Sequence, residues 1–197
     1  MENIVIGISG ASGVILGFRA VEACCAAGIH VDLVMTDAAR RTAFEELSFS
    51  CDTDDLVLQR FSEGVRPMIR CCPVGDIGSQ IASGTYQTLG MIIVPCSMAT
   101  LAAVSMGLAD NALRRAADVT IKEGRRLLIV PREMPFSSIH LEHMLKLSHL
   151  GVVIMPPQPA WYQKPKTIED VETMIVVRIL DRFGLAVALK RWRDGGG

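Results

Sequence analysis

The apolar positions of this chain fall into short continuous runs, separated by longer stretches in which they recur at helical spacing. The first run, Ile4, Val5, Ile6 and Ile8, leads into Ser9-Gly10-Ala11-Ser12-Gly13, and an apolar-periodic segment follows over residues 14–27. That order predicts a strand, a glycine loop and a helix. The alternation repeats. Residues 30–36 predict a second strand, followed by a helix from about Ala38, and 91–94 a third strand closed by Pro95 and followed by an Ala-rich helix. A helix over 109–123, ended by Gly124, leads into a fourth strand at 126–130. An amphipathic helix over 137–150, a fifth strand at 152–155 and a last helix over about 167–183 complete the pattern. Continuous apolar strands suit a sheet buried on both faces. The expected fold is α/β: a Rossmann-like doubly wound, mainly parallel sheet flanked by helices, as a single domain over 1–197. Residues 48–76 carry less pattern. There Asp52-Thr53-Asp54-Asp55 predicts a capped helix start, Pro67 and Pro73 punctuate a loop or short strand, and 76–82 predicts a short helix.

Candidate chemistry gathers where these strands end. Glycine lets the backbone turn tightly and approach a ligand, and the helix behind it offers free N–H groups to an anion. The spacing of Gly7, Gly10 and Gly13 is G-x-x-G-x-x-G rather than the dinucleotide G-x-G-x-x-G, so the loop reads either as a phosphate seat, with Ser9 and Ser12 as hydroxyl donors, or as a tight turn without ligand. After the second strand, Asp37 reads as a helix cap, and Thr36 is placed to reach a ligand phosphate or ribityl chain. Glu45 and Glu46 fall at a helix C-terminus, where negative charge is unfavourable; the pair is either solvated surface or includes a carboxylate with another job. Cys96-Ser97-Met98-Ala99-Thr100 repeats the logic of the first loop, which points to a shared phosphate or flavin site, with Cys96 a small buried residue. Asn111, Arg114, Arg115 and Lys122 share one helix, while Pro131-Arg132-Glu133-Met134-Pro135 presents a cation beside an acid on a stiff loop. His140 and His143 stand three apart, but no third ligand accompanies them, and structural or interface histidines are the expectation.

Composition narrows the function classes. The 197 residues carry a net charge of −1, which provides no electrostatic footprint for nucleic acid. No apolar run reaches membrane-spanning length and no signal-peptide pattern opens the chain, so neither nucleic acid nor membrane is an expected partner. The six cysteines form no C-x-x-C pair, which predicts reduced thiols and a cytoplasmic setting.

Longer motifs carry a resemblance over nearly the whole chain, weakest over 48–73. They are Gly7 to Gly13 (GISGASG), Pro95 to Thr100 (PCSMAT), Arg115 to Val119 (RAADV), Lys122-Glu123, the run from Val130 (VPREMPFSSIHLEHMLKLSHLG) and Pro159-Ala160-Trp161-Tyr162. Together these resemble the flavin prenyltransferases of the UbiX type. The resemblance implies metal-independent transfer of a dimethylallyl group from dimethylallyl monophosphate to N5 and C6 of reduced FMN. The product, prenylated FMN, would serve a UbiD-type decarboxylase. It implies FMN binding by Gly10, Ala11, Ser12, Thr36, Ser97, Met98, Ala99, Thr100 and Arg132. Lys122, Arg132, Tyr162, Arg178 and Arg115 would hold the substrate phosphate, and Glu46, Glu133, Lys122 and Ser12 would be catalytic, Glu46 taking the N5 proton. Trp192 is an aromatic wall for the prenyl cation on the same grounds. The resemblance further implies a homo-dodecamer with sites between subunits, the C-terminal helix and tail (about 167–197) reaching a neighbour. Asp37 stands where many members carry lysine, and Trp161 where phenylalanine is common; neither change removes a catalytic group. Two other readings compete: a flavin-dependent cysteine decarboxylase of the related fold, and a non-catalytic FMN carrier or assembly subunit. The first needs a histidine after the first loop and a P-A-S-A-N-T-like run in place of PCSMAT; the second does not require the catalytic set to be kept together.

Overall fold

The computed structural model describes residues 2–185. β1 (Asn3–Ile8) leads through the glycine loop to α1 (Val14–Ala26), then β2 (His30–Met35), α2 (Asp37–Leu47) and α3 (Asp54–Gln59). Next come β3 (Ile69–Cys71), β4 (Gly90–Cys96), α4 (Met98–Ser105), α5 (Ala112–Lys122) and β5 (Arg126–Pro131). α6 (Ser138–His149), β6 (Val153–Ile154) and α7 (Ile168–Asp181) close the described chain. The six strands are all parallel, in the order β3-β2-β1-β4-β5-β6.

The alternation of side chains along each strand builds two cores. Ile4, Ile6 and Ile8 pack with Phe18 and Val21 of α1, Ala39 and Ala43 of α2, and Ile179 and Leu180 of α7. Val5, Met91, Ile93, Leu127 and Ile129 point the other way, against Leu101 of α4, Leu113 and Ala117 of α5 and Leu147 of α6. Full burial of one such side chain contributes about 1.5–3 kcal/mol, so both faces of the sheet must be covered. α7 belongs to the first layer of its own chain, and Arg19 of α1 pairs with Glu172 of α7 at 2.5 Å.

Of the loop or short strand expected between Pro67 and Pro73, the short strand forms: β3, a sixth strand of three residues at the sheet edge, of which only Ile69 is buried. Three local expectations are corrected. β4 does not stop at Pro95 but runs to Cys96 through a cis Val94–Pro95 bond, with an irregularity in its pairing to β5 between Ile93 and Cys96. Residues 76–82 form turns and a single 3₁₀ turn at Gln80–Ala82 rather than a helix. Thr36, not Asp37, caps α2: its hydroxyl accepts from the Ala39 N–H at 3.1 Å, and Asp37 is the first helical residue. The cap expected before α3 is Thr53, whose hydroxyl accepts from Leu56 N–H.

Candidate functional site

The chain leaves β1 toward β2 and β3 on one side, and the later strands build outward from β4 on the other. In a sheet wound this way a crevice opens beyond the carboxyl ends of the two strands at the switch point, here β1 and β4. Ser9 ties their ends together. It is fully buried, its N–H donates to Pro95 O at 3.1 Å, its hydroxyl donates to the same carbonyl at 3.2 Å, and Ser97 N–H donates to the hydroxyl at 2.8 Å. Both capacities of the Ser9 hydroxyl are thus used inside the protein, so it is a staple between two loops rather than a ligand donor. Two glycines let the surrounding chain close up. A Cβ on Gly10 would stand 2.4 Å from Ala38 Cβ, and one on Gly17 would stand 2.6 Å from Val94 O. The first presses the loop onto α2, and the second seats α1 on the sheet, a role the dinucleotide motif assigns to its third glycine.

The crevice is a cleft of about 360 Å³. Gly10, Ser97, Ala99 and Thr100 line it from the two loops; Thr36, Asp37 and Ala38 from the start of α2; Val74 and Gly75 from the segment after β3; and Asn111 and Arg114 from the start of α5. Thr36, Ser97 and Asn111 are the N-caps of α2, α4 and α5, so three helix N-termini meet at one cleft. Each contributes partial positive charge and unpaired N–H groups, and together they favour an anion. The Ser97 hydroxyl accepts from Thr100 N–H at 3.3 Å and lies 3.1 Å from the Thr100 hydroxyl. Cys96, just behind them, is fully buried, and burial pushes its thiol up to about 12, so it stays protonated and unreactive.

The family model that matches is described as flavoprotein, over residues 1–180. The flavin prenyltransferase UbiX of Chlamydia trachomatis is 44% identical over 195 residues, spanning 98% of this chain and 99% of that protein. The chain belongs to the flavoprotein family, among the UbiX flavin prenyltransferases. Two solved structures share the fold closely. The dodecameric FMN-dependent UbiX-like decarboxylase from Escherichia coli O157:H7 has a TM-score of 0.87 at 39% identity, with 98% of this chain and 100% of that one covered. AnUbiX (PadA1), in complex with FMN and dimethylallyl pyrophosphate, has a TM-score of 0.86 at 37% identity, with 98% of each chain covered.

Within this flavoprotein the residues named from sequence divide by position. Gly10, Thr36, Ser97, Ala99 and Thr100 line the cleft, while Ala11 is buried behind the loop and Ser12 is exposed at its tip. Met98 opens α4, partly buried. The Arg132 N–H donates to Cys96 O at 3.1 Å, which holds the β5–α6 loop against the β4 loop, and its exposed side chain makes no hydrogen bond to a described residue. Glu133 follows it and accepts from Met134 N–H at 3.0 Å. Glu46 is exposed, but its carboxylate has a job: it sits on the N-terminus of α1, bound by the N–H groups of Gly13 and Val14. Tyr162 lies on a 3₁₀ turn between β6 and α7, exposed beside the also exposed Trp161.

Lys122 and Arg178 are elsewhere. α5 runs from the cleft toward the amino ends of the strands, about 16 Å over eleven residues, and Lys122 ends it, paired with Glu123. Arg178 is in the last turn of α7, 3.8 Å from Asp181, and Phe183 beyond it packs near Gly90 and Arg126, the first residues of β4 and β5. One chain therefore does not bring these two cations to its own cleft. Arg115 pairs with Asp118 at 2.8 Å and does not line the cleft; its neighbour Arg114 does. Arg114 and Asn111 were legible on the helix but not as site residues. The signal lay in the cap: Asn111 opens α5, and Arg114, three residues on, shares its face. His140 closes the capping box of α6 with Ser137, and His143 Nδ1 lies 2.5 Å from the Ser105 hydroxyl, so both histidines have structural partners. Trp192 lies outside the described residues.

Proposed function

We propose that this flavoprotein transfers a dimethylallyl group from dimethylallyl monophosphate to N5 and C6 of reduced FMN, and passes prenylated FMN to a UbiD-type decarboxylase. The observation that carries the reading is an anion-binding cleft at the β1/β4 switch point, in a chain 44% identical over almost its whole length to a flavin prenyltransferase. The donor set fits a flavin mononucleotide: three capped helix N-termini, the Thr36, Ser97 and Thr100 hydroxyls and the Arg114 guanidinium suit a phosphate and ribityl chain. None of the described residues lining the cleft is histidine, which a cysteine decarboxylase of this fold would need.

Reduced FMN supplies the nucleophilic N5 and, for ring closure, C6. The protein's part is to hold, orient and neutralise. Gly13 and Val14 fix the Glu46 carboxylate beside the glycine loop, where it takes the proton from N5. Arg132 and Glu133 steer the departing phosphate from a loop pinned to the end of β4, and Ser12 and Tyr162 supply hydroxyls. Lys122, Arg178 and Arg115 complete the phosphate grip from neighbouring copies in a homo-dodecamer. The exposed side of α7 makes contact there; the tail from residue 186 lies outside the described residues. An assembly of this kind explains why two cations of the set stand away from their own chain's cleft, toward the amino ends of the strands. No described helix is long and apolar enough to cross a membrane, and all six cysteines are unpaired, which suits work in the cytoplasm.

The deciding experiment is anaerobic incubation of the protein with reduced FMN and either dimethylallyl monophosphate or diphosphate, with a chelator present, followed by mass analysis of the flavin. The expected result is a gain of one prenyl group with the monophosphate. A flavin that is bound but unchanged, while an active family member prenylates it alongside, overturns the reading in favour of a carrier. Turnover with the diphosphate alone reassigns the donor.

A further inference from the structure

Arg114 is the only cation among the described residues lining the cleft, and Asp37 the only acid. They come from helices on opposite faces of the sheet, α5 and α2. Both Asp110 oxygens accept from Nη1 of Arg114, at 2.8 and 2.9 Å. That grip fixes the guanidinium, which is only 20% exposed, while Nε and Nη2 make no hydrogen bond to a described residue. The positive charge reaches the end of β4, where it opposes the effect of burial on the Cys96 thiol. Arg115 points about 100° further round the helix and is engaged with Asp118.

A phosphate in this cleft meets the Asp37 carboxylate at the start of α2. Helix N-termini offer partial charge only, roughly half an elementary charge each. A pre-positioned guanidinium with free donors is the group that can balance a dianion there. We infer that Arg114 is the specificity-determining cation of the cleft: it binds the phosphate of the flavin mononucleotide and makes the site prefer FMN over riboflavin, against the opposing charge of Asp37. This rests on the flavin reading above, and the test separates the two.

The experiment is titration of FMN and of riboflavin into the full-chain protein, followed by quenching of flavin fluorescence, at low and high salt. Wild type is expected to prefer FMN, less so at high salt. Arg114→Ala is expected to weaken FMN about tenfold or more and to leave riboflavin unchanged. Lys146→Ala, at an exposed cation on α6 outside the cleft, is expected to keep the FMN preference within about twofold, and Asp37→Asn to increase it. An Arg114→Ala protein that melts like wild type and keeps the wild-type FMN-to-riboflavin ratio overturns the inference. If Arg114→Ala does not fold, Arg114→Gln and Asp37→Asn decide, and an unchanged ratio in both overturns it. Equal affinity of wild type for the two flavins overturns the inference while leaving the flavin reading in place. Binding of neither removes both.

Discussion

Both carboxylate oxygens of Glu46 accept from the Gly13 N–H, each at 3.0 Å, and one accepts from Val14 N–H at 3.1 Å. Gly13 is left-handed (φ 94°) and has no side-chain cap of its own, so the glutamate from the end of α2 caps α1 across 33 residues. Loss of a cap costs about 1 kcal/mol, which for a chain of this size is roughly 2–4 °C in Tm. Glu46→Ala should therefore lower the melting temperature by that amount and slow prenyl transfer. Glu46→Gln, which keeps an acceptor oxygen, should recover the stability but not the rate. Calorimetry and anaerobic single-turnover absorbance separate the two effects; equal loss of rate and stability in both variants would reduce Glu46 to a structural cap.

Ser9 bridges the two ligand loops from a buried position. Ser9→Ala leaves the Ser97 N–H without its acceptor, and an unsatisfied buried donor costs about 1–3 kcal/mol. The expected result is a lower urea midpoint together with weaker FMN retention, because the same bond sets the spacing between the loops. Unchanged retention in a destabilised protein would show that the loop spacing survives without the staple.

Lys122 stands at the amino ends of the strands, away from its own cleft. Lys122→Ala should lower prenyl transfer by about a hundredfold or more while leaving FMN binding intact. Co-expression with a variant that cannot bind flavin, such as Ser97→Leu with Thr100→Leu, should restore part of the activity in mixed oligomers. Absence of any rescue in verified mixed oligomers would mean that Lys122 does not serve a neighbouring site.

Asp32 is buried on β2, where its carboxylate accepts from the Tyr86 hydroxyl at 2.8 Å and pairs with Arg70 of the adjacent β3. Burial raises its pKa, with the Tyr86 hydrogen bond and the Arg70 charge opposing. The folded protein therefore keeps a proton that the unfolded chain gives up at lower pH. The stability this confers is complete below the ordinary carboxylate range and is lost as pH rises through the folded value. Asp32→Asn should flatten that dependence in denaturation midpoints measured across the acid range. Arg70→Ala should cost on the order of 2 kcal/mol near neutral pH, below the figure for a fully buried pair because Arg70 is half exposed.

β1, β4, β5 and β6 were legible as short apolar runs, and β2 as a run broken by Asp32; burial on both faces of a parallel sheet demands such runs at its centre. The cap before α3 was legible from a local signal: the Thr53 hydroxyl accepts from the Leu56 N–H three residues on. β3 was legible only as a loop or short strand, since three residues between Pro67 and Pro73 carry no period, and its place at the edge comes from pairing with β2. The family and the ligand loops could be read from motifs because those motifs are contiguous. Which cations share one cleft could not. Arg114 and Arg115 are adjacent in sequence, yet 100° of helix rotation sends one to the cleft and the other to Asp118. Lys122 shares their helix, but a rise of 1.5 Å per residue carries it away from the cleft, toward the amino ends of the strands. The Glu46–Gly13 contact joins the end of one helix to the start of another, a distance set by how α1 and α2 pack on the sheet, and only the tertiary structure decides it.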